Sequence, residues 1–183
     1  MKAIFLHLLT LSFALSPASP AQTCREVVRD SSGRIVQTIE RQKLAGGTER
    51  TVTRDASGRI TGTATTYPTG TANSRTTFRD ASGRISGSAT NQAGIHGSSR
   101  TTFRDASGRI TGSANTGQSA GSASRTTFRD ASGRIIGSET TQRGATTTTM
   151  RRDASGRLTG SSTGTGKCQG LGRVPVPPPH GKK

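Results

Sequence analysis

Arg75-Thr76-Thr77-Phe78-Arg79-Asp80-Ala81-Ser82-Gly83-Arg84-Ile85-Ser86-Gly87-Ser88 reads as two short strands around a tight turn. Asp at the first turn position can accept a hydrogen bond from the backbone two residues on, and Gly at the fourth position adopts positive φ cheaply. The flanking Thr, Phe, Ile and Ser suit strands, and nothing nearby repeats with a helical period. Arg75–Arg79 and Arg84–Ala89 are therefore the expected strands. Ala81-Ser82-Gly83 forms the expected three-residue loop, with Gly83 in a bulge. That register sets Asp80 against Arg84 at the turn mouth, an opposite-charge pair. It puts Arg75, Thr77 and Arg79 on one face and Thr76, Phe78 and Asp80 on the other. A four-residue loop is the alternative; it brings Phe78 opposite Ile85 but also sets Arg79 against Arg84.

The motif recurs along the chain. Asp30, Asp55, Asp80, Asp105 and Asp130 are 25 residues apart, and Asp153 follows after 23. Each is followed three residues later by glycine, at Gly33, Gly58, Gly83, Gly108, Gly133 and Gly156. Six copies of this length mark a tandem repeat. The expected fold class is all-β: antiparallel β-hairpin repeats of six units of about 25 residues, up to twelve strands in all. The stretches between hairpins, such as Thr65-Thr66-Tyr67-Pro68-Thr69-Gly70 and Thr116-Gly117-Gln118-Ser119-Ala120-Gly121, read as flexible connecting loops.

The ends of the chain differ from this middle. Residues 1–21 read as a signal peptide: Lys2, an apolar run from Ala3 to Leu15, then Ser19 and Ala21 as small residues before cleavage ahead of Gln22. The run is too short to span a ~30 Å hydrocarbon core, so no transmembrane span is expected after cleavage. A lipoprotein reading fails because Thr23, not a small residue, precedes Cys24. Residues 22–166 form the repeat domain. Residues 167–183 form a basic, Pro-rich tail expected to be disordered, with Val174–Pro179 extended as polyproline II. The expected location is secreted or periplasmic.

Composition limits what such a chain can build. After cleavage it keeps 25 basic and 10 acidic residues, and only 20 of 162 residues are Leu, Ile, Val or Phe. So little apolar area cannot support a conventional globular core. Two readings remain: a disordered basic chain offering repeated linear motifs to a protein partner, or an architecture whose units each bury only a few groups. The two cysteines, Cys24 and Cys168, bracket the repeats and are read as one disulfide, with an intermolecular bridge or two free thiols as the alternatives. Twelve strands at ~4.8 Å would hold the ends of a flat ribbon ~50 Å apart, whereas a disulfide needs Cα atoms within about 7 Å. An intramolecular bridge therefore requires the sheet to curl round or close, which also removes exposed edges.

The ten-residue segment Phe-Arg-Asp-Ala-Ser-Gly-Arg-Ile-Thr-Gly resembles the YD repeat of RHS-type bacterial surface and toxin proteins, whose units read Tyr-Asp-Ala-x-Gly-Arg-Leu-Thr. The match is Asp, Gly three later, Arg four later and an aliphatic five later, from Asp30-Gly33-Arg34-Ile35 to Asp153-Gly156-Arg157-Leu158. Here Arg stands where the family has Tyr, and Phe78, Phe103 and Phe128 lie one residue earlier. The resemblance implies hairpin repeats and bacterial secretion. RHS shells wind many more units around a toxin than the six present here.

No catalytic, cofactor or metal site is expected, and the chain is not read as an enzyme. Gly160–Cys168 looks like a phosphate-binding loop, but Ser161 stands where its first glycine belongs and Cys168 where its Ser/Thr belongs. His96 and His180 lack a nucleophile or carboxylate arrangement. The repeated aspartates serve turns, and one carboxylate per turn is too few for calcium. The arginines are the candidate site: Arg75, Arg79 and Arg84, then Arg100, Arg104 and Arg109, then Arg125, Arg129 and Arg134. Stacked hairpins would array them at ~10 Å intervals, a ladder suited to phosphate, sulfate or carboxylate. The bland alternative is a solvated face with turn-mouth salt bridges. The expected partners are an anionic surface polymer, nucleic acid or a protein. Few aromatics are available for base stacking, so nucleic-acid binding would be driven by backbone charge.

Overall fold

The computed structural model describes residues 23–119 and 121–166. Twelve antiparallel strands close into a barrel: β1 Thr23–Asp30, β2 Ile35–Lys43, β3 Glu49–Asp55, β4 Ile60–Pro68, β5 Ser74–Asp80, β6 Ile85–Ala93, β7 Ser99–Asp105, β8 Ile110–Gln118, β9 Ala123–Asp130, β10 Ile135–Arg143, β11 Thr147–Asp153 and β12 Leu158–Gly166. Each strand pairs with its neighbours in sequence, and β12 pairs with β1 to complete the ring. The closed sheet expected from the cysteine spacing is thus the architecture found. Cys24 is buried and is not a free thiol. Its expected partner Cys168 lies outside the described residues, as do the leader and the tail.

The six turns settle the loop length. Asp80 N–H donates to the Arg84 carbonyl at 2.9 Å, and Gly83 N–H donates to the Asp80 carbonyl at 3.1 Å. This is the three-residue loop, and all six turn glycines sit at φ between +82° and +85°, a region costly for any residue with a Cβ. Arg75 and Arg79 face outward, while Thr76 and Phe78 face the lumen, as the strand period requires.

One feature of the register was not expected. Arg79 pairs with Ile85, but Phe78 pairs with Gly87, so Ser86 is an extra residue. The same bulge recurs in every hairpin. A Cβ on Gly87 would lie 2.5 Å from the Arg104 carbonyl oxygen of the next unit, so glycine lets two backbones approach. Gly62, Gly112, Gly137 and Gly160 repeat that contact; in the first unit Gln37 takes the place, opposite Asp55.

The supposed flexible spacers are mostly strand. Thr65–Pro68 belongs to β4 and Thr116–Gln118 to β8, which leaves connections of three to five residues between hairpins. The physical reason is pairing among lumen hydroxyls and amides. Thr66 and Thr76 share a hydrogen bond of 2.9 Å, as do Thr116 and Thr126, and Asn91 Nδ2 donates to Thr101 Oγ1 at 2.9 Å. Side chains that satisfy one another can face inward without leaving buried polar groups unpaired.

The lumen is the core. Between β5 and β10 it is apolar, with Phe103 1% exposed, Ala89, Ala114 and Phe128 buried, and Phe78 and Ile136 packed against them. On the side of the β1–β12 closure, Val28 and Ile39 are buried beside a set of ion pairs. Arg41 lies 3.1 Å from Glu26 and 3.9 Å from Glu49, and Arg151 donates to Glu139 at 2.6 Å. Ser162 donates to Glu26 across the closing strand pair.

Candidate anion-binding wall

The outward positions form six equivalent rows, each running across seven strands from one mouth of the barrel to the other. One row follows the strand pairs Tyr67, Arg75, Thr90, Thr102, Ser113, Arg129 and Ile135. The next on one side reads Gln42, Arg50, Thr65, Thr77, Ser88, Arg104, Ile110. The next on the other reads Gln92, Arg100, Asn115, Thr127, Ser138, Arg152, Leu158. Three further rows complete the wall, through Arg125 to Arg29, Thr148 to Arg54, and Arg25 to Arg79. Arginine stands second in five rows and sixth in all six. The two lie four strand spacings apart, ~19 Å.

The register corrects the expected ladder. Arg75 pairs with Thr90 and Arg100 with Gln92, so successive units are offset by two residues along the strand. Neighbouring equivalent arginines are ~12 Å apart on a diagonal, not ~10 Å apart on a level. Arg75, Arg79, Arg84, Arg100, Arg104, Arg109, Arg125 and Arg134 are exposed, and Arg129 is half-buried.

Each arginine before a turn aspartate is held in place. Arg79 Nη1 donates to the Gly83 carbonyl at 2.9 Å, and the equivalent bonds of Arg29, Arg54, Arg104, Arg129 and Arg152 span 2.7–3.1 Å. One of the five guanidinium donors is used, so the planar group is oriented while the rest stay available.

The aspartates do not neutralise these charges by ion pairing. Asp80 Oδ1 accepts from Ser82 N–H at 2.9 Å, Ser82 Oγ at 2.7 Å and Arg84 N–H at 3.0 Å. The serine hydroxyl, then the backbone N–H groups, hold the carboxyls of Asp30, Asp55, Asp80, Asp130 and Asp153 below the ordinary aspartate value; at Asp105 the Arg109 N–H leads. Of the expected turn-mouth salt bridges, only Arg109–Asp105 comes within reach, at 3.9 Å. The Asp–Arg attraction runs instead through the arginine's backbone N–H. The serine of Asp-x-Ser-Gly was not assigned a role from sequence; its recurrence at Ser32, Ser57, Ser82, Ser107, Ser132 and Ser155 was the available signal.

The Arg41 cluster was also missed, since nothing in the repeat points to it. Burial pushes the Glu49 carboxyl up, against the pull of Arg41 and Lys43. Toward the mouth away from the turns, the lumen encloses about 290 Å³ beside Thr76, Asn91, Thr101 and Thr126. These are the side chains already paired with one another or with a neighbouring threonine. Among the described residues, no three His, Cys, Asp or Glu side chains gather as a metal site would require.

No known protein family, curated protein or solved structure matches this chain.

Proposed function

We propose that the protein is an exported, non-enzymatic interaction module that binds an anionic polymer along its outer wall. The observation that supports this reading is the charge pattern of the six rows. They carry eleven arginines and a single carboxylate, Glu40. In the three rows whose arginines lie on β3–β11, the arginines are separated only by Thr, Ser and Asn. Such rows offer charge-assisted bonds at both ends and neutral hydrogen bonding between. They suit an acidic polysaccharide better than single-stranded nucleic acid, since the phenylalanines of the repeats face the lumen and, among the described residues, Tyr67 is the one aromatic ring of Phe, Tyr or Trp that stands exposed for stacking. Duplex nucleic acid remains a partner of the same charge chemistry.

Export through residues 1–21, a Cys24–Cys168 bridge sealing the closure, and kinship with YD-repeat proteins belong to the same reading. The bridge is supported by Cys24 pairing with Gly166, two residues short of Cys168. The test is binding of polygalacturonate and of duplex DNA to the protein from Gln22 to Lys183, titrated with salt. The expected result is affinity that falls steeply with salt and is weakened about tenfold or more by Arg75→Ser, Arg100→Ser and Arg125→Ser together. Salt-independent binding to one protein partner would overturn the polymer reading in favour of an assembly or adhesive role.

A further inference from the structure

The turn end of the barrel carries a second surface with different chemistry. All six Asp-x-Ser-Gly-Arg turns project at the same mouth, because every connection from an odd to an even strand lies there. Directly behind each turn stands an exposed aliphatic residue: Ile35 41%, Ile60 40%, Ile85 51%, Ile110 51%, Ile135 44% and Leu158 42% exposed. Each pairs with the arginine preceding the turn aspartate, Ile85 with Arg79 for example, and so shares its outward face. The opposite mouth has no such repetition; Leu44, Tyr67 and Ile95 are exposed there singly.

We infer that this crown docks the barrel on an anionic lipid surface, with the six aliphatic side chains reaching the headgroup–acyl boundary and the arginines engaging lipid phosphates. Six large apolar side chains exposed at one rim are what soluble proteins avoid unless something covers them. What covers these must accept positive charge, since the six turns carry twelve arginines and six aspartates, and the carboxylates are occupied within their own turns. A second copy presenting the same crown would meet like charge. A ring of equivalent turns meets a planar partner at all six points at once. The barrel does not span the bilayer in this arrangement, because its wall of Arg, Thr and Ser has no apolar band. The crown shares the last two positions of each polymer row, whereas Arg75, Arg100 and Arg125 stand second in their rows, ~19 Å from the crown arginine of the same row.

The chain contains no tryptophan, so a single Ile85→Trp in the protein from Gln22 to Lys183 is a clean reporter; the apolar leader is left out because it binds lipid by itself. With phosphatidylcholine vesicles containing phosphatidylglycerol, the expected result is a blue-shifted emission quenched by brominated acyl chains, and neither with phosphatidylcholine alone. Ile60→Ser, Ile85→Ser, Ile110→Ser and Ile135→Ser together are expected to cut vesicle partitioning about tenfold or more, with an unchanged circular dichroism spectrum. Ile95→Ser, at the other mouth, leaves it unchanged. Partitioning in which the tryptophan stays solvent-exposed, or which survives the four serines, overturns the inference and leaves diffuse charge attraction. Polymer binding that survives Arg75→Ser, Arg100→Ser and Arg125→Ser together, with tryptophan insertion intact, sinks the polymer reading alone.

Discussion

The two halves of the lumen share one backbone plan but differ in chemistry: one packs phenylalanine on alanine over a layer of Thr and Asn, and the other adds buried ion pairs to Val28 and Ile39. In the third to fifth units, the position two before the turn aspartate holds Phe78, Phe103 and Phe128, and the position nine after it holds Ala89, Ala114 and Glu139. Toward the closure the first of these positions becomes Arg151, Val28 and Thr53, and Glu139 pairs with Arg151 where Ala89 meets Phe103. One layer further in, Thr76 and Asn91 give way to Glu26 and Arg41. The large–small apolar pair is interchangeable from unit to unit, so by itself it favours no particular register. A buried ion pair is satisfied in one register only, because a slip would leave charges unpaired in the interior. The ionic half sits where the first strand must find the last, and that is where register has to be chosen and not merely propagated.

This account makes its strongest prediction at Arg41. Arg41→Ala leaves Glu26 and Glu49 buried without their cation and is expected to destabilise the barrel by about 3–5 kcal/mol. Phe103→Ala costs a similar ~3–5 kcal/mol through transfer and cavity terms. Urea unfolding measures both, but the two should part in a second readout. Glu26→Leu, Arg41→Met and Glu49→Leu together are expected to keep or raise stability while broadening the amide NMR signals of β1 and β12 as registers mix. A single sharp spectrum for that variant would remove register choice as the role of the ionic half.

A smaller effect is expected where units meet at the bulge. Gly87→Ala drives a methyl group against the Arg104 carbonyl, and overpacking of this kind costs about 1–3 kcal/mol. Gln37→Gly, at the equivalent place beside the ionic half, should give no comparable loss. Thermal unfolding of the pair measures how far the first unit departs from the others.

The ionic side of the lumen and the six turns should also respond oppositely to acid. The folded pKa of Glu49 is raised, so the native state binds its proton first, and stability rises as pH falls through that folded value toward the ordinary 4.5. The six turn aspartates have lowered folded values; their contribution is complete above the ordinary 3.8 and is lost as pH falls below it through the folded values. Urea midpoints across mildly to strongly acidic pH should therefore climb and then drop. Glu49→Gln should abolish the climb and keep the drop. The smallest effect belongs to Ser82→Ala, which removes one of three donors to Asp80 and should move that carboxyl's NMR titration midpoint back toward 3.8 with little change in melting temperature.

Much of this protein could be read before any coordinates. Asp80, Gly83 and Arg84 dictate the turn, because every bond that makes it joins residues within five positions of one another. The alternation of Arg75, Thr77 and Arg79 with Thr76 and Phe78 dictates which face is wet, since a strand reverses its side chains at each residue. A Cys24–Cys168 bridge within one chain, as read from the sequence, would in turn have required a curled or closed sheet. Tertiary structure alone settled the stagger of the arginines, the pairing of Arg41 with Glu26 and Glu49, and the ring of five isoleucines and Leu158 around one mouth. Each depends on contacts between units: the Gly87 contact lies on Arg104, and the partner of β1 is the strand farthest away in sequence. A local pattern can specify a hairpin, but the offset between hairpins accumulates around the ring, and only closure fixes which side chains finally meet.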